Sequence, residues 1–156
     1  MSTFYFVTVT ADDEYAAAAG LFKEYAGWLN IDLGFQHFEK ELKELKSMYT
    51  LPNGGIILCK NENEFIGCVG VRKFDDRTGE LKRMYIRDAY QNKGLGKTLL
   101  NEALALAKKC GYESIRLDTL NTMISAMNFY KKNGFKGTPP YYNNPIDTAV
   151  YFQKFL

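Results

Sequence analysis

The chain has 156 residues, a length that suits one domain, and at 46% hydrophobic it carries enough apolar material for a proper core. A formal net charge of +2 is too small for a general nucleic-acid surface, and a single histidine leaves little for Cys–His catalysis or a His-rich metal site. No basic N-terminal region precedes a long apolar run and nothing approaches membrane-spanning length, so a soluble, cytoplasmic protein without a metal is expected.

Residues 4–9, aromatic and β-branched, read as a strand, with Thr10 as the cap of a helix whose first turn holds Asp12, Asp13 and Glu14. Tyr15, Ala18, Phe22, Tyr25 and Leu29 then recur at helical spacing. A connection over residues 30–34 leads to a second helix with the stripe Phe35, Phe38, Leu42, Leu45 and Tyr49. Its other face, Glu39, Lys40, Glu41, Lys43, Glu44 and Lys46, reads as solvated surface, and His37 belongs to that helix surface too. Pro52-Asn53-Gly54-Gly55 breaks the chain, after which residues 56–60, 64–73 and 80–87 form consecutive antiparallel hairpins. On the last of these strands period 2 sets Met84 and Ile86 on one face, Leu81 and Tyr85 on the other. Cys59, Cys68 and Cys110 lack C-x-x-C spacing and lie in apolar runs, which suits reduced, buried thiols.

Residues 91–96 are a glycine turn, and from Leu95 the residues Leu99, Leu100, Ala103, Leu106, Ala107 and Cys110 mark a helix that Gly111 caps. Residues 113–118 form a strand parallel to 80–87, because a strand–helix–strand crossover is right-handed and parallel. A last helix spans 122–132. Phe135 and residues 149–156 supply two closing strands around a loop, 138–148, with two prolines, two tyrosines and two asparagines.

A strand that feeds a helix through glycines leaves backbone N–H groups free at the positive end of the helix dipole, a ready site for phosphate. Lys82, Arg83, Arg87, Lys93 and Lys97 outnumber Glu80, Asp88 and Glu102 in this stretch. Gly96-Lys97-Thr98 imitates the end of a P-loop, but Gln91 stands where that motif needs glycine. The dinucleotide fingerprint fails at Leu99. Gln91-Asn92-Lys93-Gly94-Leu95-Gly96 instead resembles the acetyl-coenzyme-A turn of the GNAT superfamily of N-acetyltransferases.

The resemblance extends both ways. Glu80 is similar in position to the glutamate that serves several members as general base. Ala126 to Phe135, AMNFYKKNGF, resembles the second signature, with Tyr130 where the general acid usually sits. Met123 departs from the asparagine that many members carry, which puts that residue's usual cofactor contact in doubt. Read without the family, Glu80 after Thr78-Gly79 is an exposed turn residue and Tyr130 plain core; the family spacing sets the base role of Glu80 level with the first reading and puts the acid role of Tyr130 ahead of the second.

The element order resembles GNAT over essentially the whole chain, although only residues 80–137 carry motifs. It implies a single α/β domain: a mixed, mostly antiparallel sheet of about seven strands with two N-terminal and two further helices, in the order β-α-α-β-β-β-α-β-α-β-β. It also implies that the two parallel strands splay and admit the pantetheine arm of acetyl-CoA. The cofactor residues are then Met84, Tyr85 and Ile86 with Gln91, Asn92, Lys93, Gly94, Leu95, Gly96, Lys97 and Thr98. The implied reaction is direct acetyl transfer to a primary amine of a small molecule or peptide, with Glu80 as base, Tyr130 as acid and a strand-edge N–H near Met84–Ile86 for the developing oxyanion. By the same resemblance the acceptor pocket involves residues 28–35 and 139–145. There Asp32 and Asp118 attract a cationic amine and Trp28, Tyr141 and Tyr142 pack on it. A homodimer is the assembly suggested by analogy. A non-catalytic acyl-CoA-binding or sensing module is the alternative, with a P-loop-like nucleotide binder behind it.

Overall fold

Tyr5–Thr8 form β1, and the apolar spacing after it becomes α1, Asp12–Leu29. The computed structural model describes residues 3–156, and the side chain of Phe35, one of the expected stripe positions, lies outside the described residues. The cap of α1 is Ala11, not Thr10: the Glu14 carboxylate reaches back and accepts the N–H groups of Ala11 and Thr10, each at 2.9 Å. A glutamate three residues into the helix satisfies the free donors that a hydroxyl at Thr10 was expected to satisfy.

The expected second helix is broken into a 3-10 turn, Gly34–Gln36, then α2, Phe38–Lys43, and α3, Leu45–Met48. His37 takes φ 57 at the first break and Glu44 φ −119 at the second. Pieces this short have no stability of their own, so packing sets their course. Phe38, Leu45 and Tyr49 are buried against the sheet, and the Tyr15 hydroxyl donates to the Tyr49 carbonyl at 2.9 Å. Glu41, expected on the solvated face, is 1% exposed. It stands between Phe38 and Leu45 on the flank of the apolar stripe, close enough to the sheet to be drawn onto an arginine there.

The remaining elements are β2 (Gly55–Lys60), β3 (Phe65–Lys73), β4 (Thr78–Ile86), α4 (Leu95–Lys109), β5 (Ser114–Leu120), α5 (Ile124–Lys132), β6 (Lys136–Thr138) and β7 (Ala149–Phe155). They make a seven-stranded mixed sheet in the order β1-β2-β3-β4-β5-β7-β6, antiparallel throughout except for β4 and β5. The fold is α/β as expected, with five helices where four were expected because of the break. Both faces of the sheet are covered, which explains why β2 is apolar without alternation. Its Ile57 and Cys59 pack toward α4, its Ile56 and Leu58 toward α1.

Two irregularities in β4 prepare the site. It pairs with β5 only at Thr78, Gly79 and Glu80, and beyond Glu80 the two parallel strands part. Its register against β3 then jumps from Gly70↔Lys82 to Cys68↔Tyr85, so Arg83 and Met84 together oppose Val69. Arg83 sits at φ 58 in this bulge. One extra residue reverses the alternation. Leu81 therefore shares the α4 side with Met84 and Ile86, while Tyr85 alone faces α1, which corrects the expected pairing of Leu81 with Tyr85.

Candidate active site

Where β4 and β5 part, a cleft of about 570 Å³ opens, with Met84, Tyr85 and Ile86 on one wall and Ala126, Phe129 and Tyr130 of α5 on the other. Gln91, Asn92 and Gly96 close its end. Asn92 (φ 61) and Gly94 (φ 79) are left-handed, and Gly94 is the N-cap of α4, where no side chain caps the helix. The first N–H groups of α4 thus stay available at the positive end of a 15-residue helix. The Gln91 amide donates to the carbonyl of Ile86 at 2.7 Å and to Asp88 Oδ1 at 3.2 Å, tying the turn to the end of β4. Leu95 anchors the helix in the core, while Lys93, Lys97 and Thr98 are exposed.

The five cations expected around the turn divide. Lys82 and Arg83 turn toward α2, and Arg87 pairs with Glu24 at 2.9 Å and Glu64 at 3.1 Å. Lys93 and Lys97 stay at the turn with no carboxylate partner among the described residues. Sequence proximity could not separate these cases, because the bulge sets the adjacent Lys82 and Arg83 on one side of the sheet while Lys93 and Lys97 lie beyond the strand.

Tyr130 is buried among Phe129 and Phe135, each ring 5.5 Å away, and its hydroxyl lies 3.7 Å from the Met84 sulfur on the opposite wall. Burial pushes the phenol well above its ordinary value of 10, with smaller contributions from Tyr25 and Asp118. It keeps its proton at neutral pH. Met123 lines the cleft as well, with its sulfur 3.8 Å from the Thr119 hydroxyl. Trp28, 44% exposed, stacks on Tyr85 at 5.8 Å and forms the rim.

Glu80 lies on the other side of the sheet junction. Its carboxylate accepts Arg72 Nε at 3.1 Å and the Tyr141 hydroxyl at 3.4 Å, with Lys82 Nζ at 3.9 Å. It lines a second cleft of about 500 Å³ with Gln36, His37, Lys82 and Tyr142, not the one that holds Tyr130. A narrow cavity joins the two clefts: Tyr25, Asp118, Thr119 and Met123 border it and the Tyr130 cleft, Gln36 and Lys82 border it and the Glu80 cleft. Asp118 accepts the Tyr142 hydroxyl at 2.8 Å. Tyr141 packs beside Tyr142 and Tyr151 and beneath the Arg116 guanidinium, 5.3 Å from its ring. Asp32 stands apart: it is exposed and its Oδ1 accepts the Gly34 N–H at 2.8 Å, a local turn.

The residues that sequence reasoning missed are Glu41, Gln36, Arg72 and Tyr25. Arg83 meets Glu41 side by side, Nε–Oε2 at 3.1 Å and a terminal nitrogen to Oε1 at 2.9 Å, and Gln36 Oε1 accepts from both Arg83 (2.7 Å) and Lys82 (3.2 Å). None has a local motif; they meet only because α1, α2 and the sheet pack together. The signal that existed was the position of Glu41 on the flank of its stripe.

Burial raises the thiol of Cys59 to about 11 and that of Cys68 further, and the Cys68 thiol donates to the Arg83 carbonyl at 3.2 Å. Cys110, expected to be buried too, is only half-buried at the end of α4, and none of the three lines the clefts. Among the described residues no helix is long and apolar enough to cross a membrane, and no cluster of three His, Cys, Asp or Glu side chains is placed to hold a metal.

The acetyltransferase (GNAT) family model matches residues 22–135. A protein of Schizosaccharomyces pombe named as an uncharacterized N-acetyltransferase is 38% identical over 135 residues, covering 85% of this chain and 83% of that protein. One of Dictyostelium discoideum, named likewise, is 28% identical over 195 residues, covering 86% and 90%. Among solved structures, an acetyltransferase from Streptococcus agalactiae superposes with a TM-score of 0.81 at 17% identity, over 98% of both chains. A GNAT family acetyltransferase from Elizabethkingia anophelis, solved with acetyl-CoA bound, gives 0.69 at 23% identity, again over 98% of both.

Proposed function

Since the chain belongs to the GNAT acetyltransferase family, we propose that it binds acetyl-CoA in the cleft between β4 and β5 and transfers the acetyl group directly to a primary amine, all within one domain. The observation that carries this reading is the uncapped N-terminus of α4 behind left-handed Asn92 and Gly94, at the mouth of a cleft that starts where the parallel pairing stops. Pyrophosphate oxygens suit the free N–H groups with Lys93 and Lys97 beside them, and an extended amide-bearing arm suits the unpaired edge of β4. Bound there, acetyl-CoA supplies the thioester.

The chain's own groups handle the protons. Tyr130, protonated and buried on the cleft wall, donates to the departing sulfur. Glu80 accepts the proton of the incoming ammonium through water in the second cleft, held in place by Arg72 and Tyr141. A free N–H of β4 beyond Glu80 faces the negative charge that develops on the acetyl oxygen. Direct transfer is supported by the thiols of Cys59, Cys68 and Cys110, none of which lines either cleft.

Calorimetric titration with acetyl-CoA, against Mg-ATP, tests the reading. Gly94→Glu sets a carboxylate at the turn where no atom lies within 4 Å to clash, though φ 79 there strains any side chain. Acetyl-CoA binding is expected to fall by about tenfold or more in the variant. Equal binding by both proteins, or preference for Mg-ATP, overturns the cofactor assignment. For Glu80→Gln, turnover with an acetylated amine is expected to drop by about a hundredfold. Unchanged turnover removes Glu80 as the proton acceptor, and no release of CoA with any amine favours a binding module over an enzyme.

A further inference from the structure

We propose that the acceptor is a zwitterion, an amino acid or a close analogue, whose carboxylate is bound by Lys82 while its ammonium faces Asp118. This rests on the acetyl-transfer reading and names the substrate class of that site. The buried charges on the α1 side of the sheet do not pair off evenly. Arg83 is matched by Glu41, and Arg72 by Glu80. Lys82, only 4% exposed, has no carboxylate to itself: it shares Glu80 with Arg72, at the longer distance. Its ammonium has three donors and one short bond, to Gln36 Oε1 at 3.2 Å, a neutral acceptor already taken by Arg83. The nearest carboxylate oxygen, on Glu80 at 3.9 Å, also accepts from Tyr141. A buried cation so poorly matched is costly, and its pKa is lowered, first by burial.

Lys82 is no packing lysine, because it lines the narrow cavity that joins the two clefts. Asp118 lines the same cavity, makes no ion pair with any described residue and accepts the Tyr142 hydroxyl. The cavity thus carries a cation on one wall and an anion on another, with no bridge between them. A ligand bearing both charges a few ångströms apart completes both. Its orientation follows: Asp118 also borders the Tyr130 cleft, so an ammonium there lies beside the cofactor and passes its proton to Glu80 through water where the cavity meets the second cleft, while the carboxylate points to Lys82. A simple amine would leave Lys82 with only Gln36 and a shared Glu80. At about 50 Å³ the cavity has room for a charged head and not for a long polyamine.

The test uses the whole chain, acetyl-CoA and matched pairs: L-phenylalanine with phenethylamine, L-leucine with 3-methylbutylamine, L-lysine with 1,5-diaminopentane. CoA release gives kcat and KM, and calorimetry on the CoA-saturated protein reads acceptor binding without turnover. The amino acid of each accepted pair is expected to exceed its amine about tenfold in kcat/KM. Lys82→Met should raise KM for the amino acid about tenfold and so erase its advantage over the amine, and Lys82→Arg should restore part of the preference. Thermal unfolding separates this from a structural role: loss of an unmatched buried cation leaves Tm unchanged or higher, whereas loss of a supporting ion pair lowers it. Acetylation of amines without preference for the amino acids, no binding of amino acids by the CoA-saturated protein, or a preference that survives Lys82→Met overturns the inference. Failure to bind acetyl-CoA at all is a different result, which overturns the function on which it rests.

Discussion

Glu41→Gln is expected to lower the stability of the fold by about 3–5 kcal/mol, the usual consequence of removing one partner of a buried, hydrogen-bonded ion pair. The substitution preserves size, so the loss is electrostatic: Arg83, 5% exposed, keeps its charge and loses its counter-charge, and Arg72, 3.6 Å from the same carboxylate, loses support as well. The pair also holds the bulge at Arg83, whose φ of 58 is strained for a residue with a side chain. Urea unfolding measures the difference, and a loss below about 1 kcal/mol would mean the pair contributes no more than a surface bridge.

The pH dependence has a definite sign. Burial by itself raises the carboxyl of Glu41, but the hydrogen bond and charge of Arg83, with the charges of Lys82 and Arg72, outweigh it and hold the pKa below the ordinary 4.5. A group lowered in the folded state contributes stability that is fully present above its unfolded value and is lost as pH falls through the folded one. The gap between wild type and Glu41→Gln should therefore be constant at neutral pH and close below about 4.5. A gap that persists undiminished at lower pH would locate the effect in packing.

Tyr130→Phe is expected to reduce kcat by about a hundredfold to ten-thousandfold, the range for loss of a positioned general acid, with little change in KM for acetyl-CoA. Folding should survive, since the hydroxyl's one recorded partner is a weak acceptor, the Met84 sulfur at 3.7 Å. The raised pKa of this phenol adds a second reading: the alkaline limb of the wild-type pH profile should lie above the ordinary phenol value of 10. Steady-state kinetics with an acetylated amine decide. A decrease smaller than about threefold, with thermal stability unchanged, would leave Tyr130 as cleft wall only.

The chain by itself determined those features that depend on local geometry. The glycine turn was legible because left-handed residues before a helix have few spellings, and Asn92 and Gly94 are among them. α4 followed from its apolar spacing, its end from Gly111 at φ 88, and the parallel pairing of β4 with β5 from the handedness of crossovers. The strand at residues 56–60 was legible as a short aliphatic run after a chain break, and it does without polar alternation because both its faces are covered.

Tertiary structure alone decided the rest. Period 2 put Leu81 with Tyr85, and the bulge at Arg83 reversed it, since a bulge depends on what the neighbouring strand and helix offer rather than on a residue's own preference. The mixed-charge face of the second helix looked solvated, yet Glu41 was drawn inward because Arg83 waits there, and charge pairing across 42 residues leaves no trace in local spacing. Glu80 and Tyr130, joined by one family pattern, line two different clefts, and the cavity that connects them is walled by residues of α1, β4 and β5 and by Asn144 and Ile146 of the loop before β7. Local sequence sets backbone conformation through steric and hydrogen-bonding preferences that act over a few residues. The charge balance of a cavity is a sum over groups distant in the chain, and it exists only once they are packed together.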